Sequence, residues 1–188
     1  MSLLLILWLA CSGPSSKEDA VRGTDEAAAG DTVEELDTGV EVANVPLAIE
    51  LGTGEWEWEP LEAGADLPVI QGPQGGFHFL ASVRVSGIEA GTPDDLGNTL
   101  NPTTTFWVIK DGEHLAPTSR FVQGLDPAPE QALPYRNQMI GRFVIMDISS
   151  DDELDGVEVE LGVRIQDVDG LILESSLMVM SYPHPLNH

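Results

Sequence analysis

The feature that most constrains this chain is a ten-residue run, Phe77–Ser86, in which apolar and mixed positions alternate without a break. Phe77, Phe79, Ala81, Val83 and Val85 fall on one parity, and His78, Leu80, Ser82, Arg84 and Ser86 on the other. A period of two sends successive side chains to opposite faces of a sheet. The run therefore predicts an antiparallel strand with one face against a core. Residues 71–76, QGPQGG, precede it. Gly72-Pro73 and Gly75-Gly76 are unsuited to a strand interior, so they predict a tight turn.

The same signal recurs from residue 45 onward. Val45, Leu47, Ile49 and Leu51 alternate up to a GTG at 52–54, and Trp56 and Trp58 share a parity opposite to Glu55, Glu57 and Glu59. Residues 67–70, 103–110 and 119–123 are further strand candidates. So are residues 142–148, with Val144, Met146 and Ile148 on one face. Val157, Val159, Leu161, Val163 and Ile165 alternate with Glu158, Glu160, Gly162, Arg164 and Gln166. Asp169-Gly170 then predicts a hairpin turn into residues 171–182. No stretch of this region keeps a helical period over a useful length. Two long loops, 89–102 and 125–137, are rich in Pro, Gly, Asn and Asp. Seven to nine short strands over residues 45–188 predict an all-β domain, a single antiparallel Greek-key β-sandwich of the immunoglobulin-like type. A closed up-and-down barrel is the second architecture that fits. No cysteine pair is present, so the immunoglobulin likeness is one of architecture alone.

Ahead of the domain the composition changes. Residues 11–44 contain no aromatic side chain and carry nine acids against Lys17 and Arg22. Low hydrophobicity with high charge does not repay the ordering entropy, so this stretch is expected to be a disordered acidic tether, extended by its own repulsion. Residues 1–10, MSLLLILWLA, are apolar but shorter than the ~20 residues a membrane-spanning helix needs. They fit the apolar region of a signal peptide. The only cysteine, Cys11, follows Leu9 and Ala10 and precedes Ser12. Residues 3–12 resemble the lipobox of bacterial lipoproteins. That resemblance implies cleavage before Cys11, acyl chains on Cys11 and firm membrane attachment. It also implies sorting to the outer membrane, because Ser rather than Asp follows the cysteine. With Cys11 acylated, the domain would carry no thiol chemistry.

Acids outnumber bases 32 to 8, a formal charge of −24. That excludes the basic footprint on which nucleic-acid binding depends, and it disfavours docking on anionic lipid. Catalysis finds little inventory: no GxSxG nucleophile elbow is present. Among the four histidines, His78 leaves the 71–76 turn at a strand rim. There it is either a copper or zinc ligand or a half-exposed ring bonded to a loop carbonyl. His184 and His188 lie in a Pro-broken YPHPLNH segment, and His114 stands alone. The acid-rich stretch 147–156 places oxygen ligands at alternate positions before Gly156, which suits calcium. Asp147, Asp151 and Asp155 are its candidate ligands, although the spacing departs from that of an EF-hand. Trp56, Trp58 and Trp107 are either core aromatics, the reading favoured here, or a carbohydrate platform.

The expectation drawn from the sequence is a lipid-anchored, non-enzymatic β-sandwich module of the cell envelope, without a cofactor, binding an envelope protein or polymer through its long loops. The alternative is a metal-binding envelope protein that uses the acidic loop or the histidines.

Overall fold

The computed structural model describes residues 45–115 and 117–187. Eleven strands follow one another: β1 (Ala48–Thr53), β2 (Glu59–Pro60), β3 (Asp66–Gln71), β4 (Phe77–Ser86), β5 (Thr103–Lys110), β6 (Glu113–His114), β7 (Ser119–Val122), β8 (Asp126–Pro127), β9 (Asn137–Met146), β10 (Val157–Gln166) and β11 (Ile172–Pro183). The helical content among the described residues is two short 3-10 turns, at Glu130–Ala132 and Asp151–Leu154. The fold is all-β, as expected. Three of the strands, β2, β6 and β8, are only two residues long and carry no periodicity that a sequence could show.

The strands join in one open sheet along the path β2-β1-β4-β3-β11-β10-β5-β6, with β7 beside β5, β9 beside β4 and β8 beside β9. Antiparallel pairing dominates, but the sheet is mixed rather than purely antiparallel. β3 runs parallel to β11 from Asp66↔Met180 to Val69↔Pro183, then pairs antiparallel with β4 through Ile70↔His78 and Gln71↔Phe77. One strand thus belongs to both halves of the sheet. The halves share one core. Leu51, Phe79, Val83, Val85, Met139 and Val144 from the β1-β4-β9 half cluster with Phe106, Val108, Val159, Leu161, Val163, Ile165 and Val179 from the β5-β10-β11 half.

The alternation read in the sequence is the alternation observed. Phe77, Phe79, Ala81, Val83 and Val85 are all buried in β4. In β10, Val159, Leu161, Val163 and Ile165 have no more than traces of exposed surface, while Glu158 and Gln166 face water. The β10–β11 hairpin closes where Asp169-Gly170 predicts. Asp167 is buried and holds the turn, its carboxylate accepting from the Leu171 N–H at 2.9 Å and the Glu89 N–H at 3.3 Å.

Three expectations are corrected. Residues 55–58 alternate in sequence but form a bend, not a strand, because Gly54 turns the chain away from β1 after Thr53. β9 starts at Asn137, inside the stretch read as a loop, and ends at Met146, so Ile148 lies beyond it. Its first half is hidden in the sequence by Asn137, Gln138 and Gly141, the last at a bulge where the β4–β9 register shifts between Ala81 and Val83. The acid-rich stretch is a capped 3-10 turn rather than an open loop. The Ser150 hydroxyl accepts from the Asp152 N–H, and the Glu153 carboxylate accepts from the N–H groups of Ser149 and Ser150.

Val159→Asp tests the register directly. A carboxylate at this fully buried site would lose several kcal/mol, comparable with the total stability of about 5–15 kcal/mol of most domains. The expected result is loss of the cooperative unfolding transition in a urea titration followed by circular dichroism. An unchanged transition would place residue 159 on the outer face.

Candidate functional site

The outer face of the β1-β4-β9 half carries the groups that the core does not use. On β4 these are His78, Leu80, Ser82 and Arg84. Ile145 lies opposite His78, Phe143 opposite Leu80 and Gln138 opposite Arg84, while Ile70 of β3 lies on the other side of His78. Phe143 is 52 % exposed and Ile145 60 %. Apolar side chains contiguous on one exposed face mark a contact surface more often than scattered ones do.

His78 is not the half-exposed ring expected from sequence. It is 8 % exposed and stacks on Phe143, with ring centroids 4.4 Å apart and planes tilted by 45°. Desolvation pushes its pKa below the usual value near 6.5, and the negative charge of Glu55 offsets part of that shift. The ring sits at the back of a groove of about 490 Å³ lined by Gly72, Pro73, Phe77, Phe143 and Ile145. A smaller hollow of about 190 Å³ adjoins it, reaching Glu55, Ile70 and Leu80.

The segment 54–58 forms a ridge beside this groove and is held down by its backbone. Gly141, with φ +67°, sits so close beneath it that a Cβ there would lie 2.1 Å from the Glu55 carbonyl oxygen. At Gly54, with φ +101°, a Cβ would lie 2.0 Å from the Glu57 carbonyl oxygen. Both positions demand a residue without a side chain, for conformation and for space. Ser82, wholly buried, bolts the ridge to the bulge: its hydroxyl donates to the Gly54 carbonyl at 3.4 Å and accepts the Gly141 N–H at 3.1 Å.

The ridge lifts Trp56 into solvent. At 86 % exposure it is the most exposed large apolar side chain among the described residues. Trp58 folds back onto the sheet. Its ring lies over Gly52, where a Cβ would be 2.5 Å away, and the Arg84 guanidinium covers it at 4.4 Å from the ring centroid. Arg84 Nε donates to Gln138 Oε1 at 3.3 Å. Trp56, Glu57, Trp58, Arg84, Gln138, Pro129 and Ile140 line a second groove of about 260 Å³. None of these tryptophans is a core aromatic, contrary to the reading favoured from sequence. Trp107 lies on the outer face of the other half, its indole over Gly162, so the three form no common platform.

The metal candidates are placed as follows. Asp151 is buried, and its carboxylate accepts from Asn187 Nδ2. Asp147 is exposed beyond β9, and Asp155 is the exposed C-cap of the 3-10 turn. The Asp147 N–H bonds to the Leu115 carbonyl. His184 accepts the Leu186 N–H through Nδ1, and His114 is exposed on β6. Among the described residues no three His, Cys, Asp or Glu side chains come together as a metal-binding group. Cys11, residues 1–44 and His188 lie outside the described residues.

Arg84, Gln138, Phe143 and Ile145 were not singled out in the sequence. The signal for the last two was present, since FVIM at 143–146 is apolar on both parities, and a strand apolar on both sides buries only one of them against its own core. Arg84 and Gln138 are 54 residues apart, and nothing local joins them. Comparison with protein-family models, curated proteins and solved structures finds no match.

Two outcomes follow from this geometry. Gly141→Ala should destabilise the domain by more than about 1 kcal/mol, because alanine is strained at positive φ and its methyl meets backbone. It should also expose residues 54–58 to proteolysis, whereas Trp56→Ala should leave the melt unchanged. Equal melts for Gly141→Ala and the parent would show that the ridge is not clamped. The second outcome concerns His78, whose folded pKa lies below its unfolded value. The unfolded chain then takes up the proton first as pH falls. The full contribution is present above about 6.5 and is lost below it until the folded ring titrates as well. The stability difference between the parent and His78→Gln should therefore shrink between pH 7 and pH 5 in parallel urea titrations. A constant difference would mean that the ring titrates normally in the fold.

Proposed function

We propose that this chain is a lipid-anchored, non-enzymatic module of the cell envelope, held at the outer membrane through Cys11. In this reading an immunoglobulin-like Greek-key β-sandwich presents the outer face of β1, β4 and β9 to an envelope protein or polymer. The observation that carries the reading is the gathering of Trp56, Phe143 and Ile145, all strongly exposed, on one side of the sheet. They replace the long loops 89–102 and 125–137 as the favoured contact surface. The first of these loops is occupied with itself. The Asn101 side chain accepts from the Thr92 N–H and donates to the Asp95 carbonyl, and the Asn98 side chain donates to the Thr92 hydroxyl.

The connectivity supports the Greek-key reading. β4 and β5 are consecutive yet lie in different halves, β9 returns beside β4, β10 returns beside β5, and β11 pairs on the far side of β10. β3 leaves the β4 half to run parallel to the last strand, which suits two sheets facing each other across one core. The resemblance of residues 3–12 to a lipobox supports the anchor.

The test is metabolic labelling with an alkyne fatty acid in a Gram-negative host, followed by density fractionation. The full chain should take up label and sediment with the outer membrane, and Cys11→Ala should lose the label and leave the membrane fraction. A parent chain without label would end the anchored reading. If Phe143→Lys/Ile145→Lys left cross-linking to envelope components intact, the face itself would be wrong.

A further inference from the structure

We propose that the Trp56 ridge and the groove beside it bind a neutral oligosaccharide chain. This deepens the contact-surface reading above and rests on it. Five observations converge on that ligand. An indole 86 % exposed has no packing role of its own, so its apolar face is free to stack. Holding it there requires Gly54 at φ +101°, Gly141 at φ +67° and buried Ser82, so the ring is presented on fixed backbone and binding freezes little.

The groups around it are the planar polar ones. Arg84, Gln138 and Glu57 line the same groove, and Arg84 is set in place by its stack on Trp58 and its bond to Gln138 Oε1. Among the described residues Arg84 bonds only through Nε. Its terminal nitrogens, the Gln138 amide N–H groups and the Glu57 carboxylate offer both donors and acceptors to ring hydroxyls in one groove. An apolar ring face edged by hydroxyls is the surface that a pyranose presents.

Charge selects among sugars. With 32 acids against 8 bases in the chain, an anionic polymer would be repelled by the field of the whole protein. An uncharged chain meets no such barrier. The groove is open at the surface rather than closed over, and a separate hollow lies near Glu55 on the same ridge, so the site suits an extended chain rather than an enclosed small molecule.

The full chain in detergent should be titrated calorimetrically with three neutral hexasaccharides: β-1,4-linked glucose, β-1,4-linked N-acetylglucosamine and α-1,4-linked glucose. At least one should give saturable binding with Kd below about 1 mM. Trp56→Ala and Gln138→Ala should each weaken it at least about tenfold, a loss of about 1.4 kcal/mol, without moving the melting temperature. Undiminished binding in Trp56→Ala would overturn the proposal. So would the absence of binding to all three sugars. In that last case, capture on purified envelope fractions separates the two readings. If capture falls with Trp56→Ala, the contact surface stands and the sugar is wrong; if it does not fall, both are wrong.

Discussion

Everything in this fold depends on β3 being hydrogen-bonded to both halves of the sheet. Its first four residues lie parallel to β11, and its last two lie antiparallel to β4. Pro68 sits in the middle of the parallel stretch without an N–H to donate, so the ladder is weakened where the strand prepares to change partners. Leu67 and Val69 point into the common core while this happens, and both are buried. The switch is reinforced from the chain's end. The Asn187 side chain accepts the Gln71 N–H at 2.9 Å and donates to the Val69 carbonyl at 2.8 Å and to the Asp151 carboxylate at 2.6 Å. One amide thus ties the last described residues, the crossing strand and the acid-rich turn into a single joint. That is why buried Asp151 belongs to the structure of the domain in the first instance.

The two outer faces use a common device for different ends. On each, an indole lies flat over a glycine of a neighbouring strand, Trp58 over Gly52 and Trp107 over Gly162. The missing Cβ lets a large ring cover backbone that would otherwise face water. On the β10 face this simply covers the sheet, beside the Arg164–Glu174 ion pair at 3.4 Å. On the β4 face the covered ring becomes the base on which Arg84 rests, and an aromatic patch becomes a polar groove.

Much of the fold was legible because long runs obey a single period. Phe77–Ser86, Thr103–Lys110 and Val157–Gln166 each fill one face with core residues, and the turns between them are written in Gly and Asp. What was not legible came from pairing at a distance. The two-residue strands have no pattern of their own, and in β3 Pro68 alone hints at the change of partner without naming either one. The bulge at Gly141 breaks the period of β9 just where it creates the seat for residues 54–58. The site was less legible than the fold for the same reason. His78 stood out as a lone histidine, yet its burial comes from Phe143 on another strand. Trp56 and Trp58 alternate as strand residues do, and only the backbone contacts of Gly54 and Gly141 show why one is lifted off and the other pressed down.

The ridge is gripped through its carbonyl oxygens and by glycines beneath it, while Glu55, Trp56 and Glu57 are all exposed. Seat and cargo are therefore written in separate residues. The seat, made by Gly52, Gly54, Ser82 and Gly141, does not read the identity of what it displays. The three side chains at positions 55–57 can therefore change without touching the contacts that seat them, so the ridge is a mount whose display is set independently of its fastening.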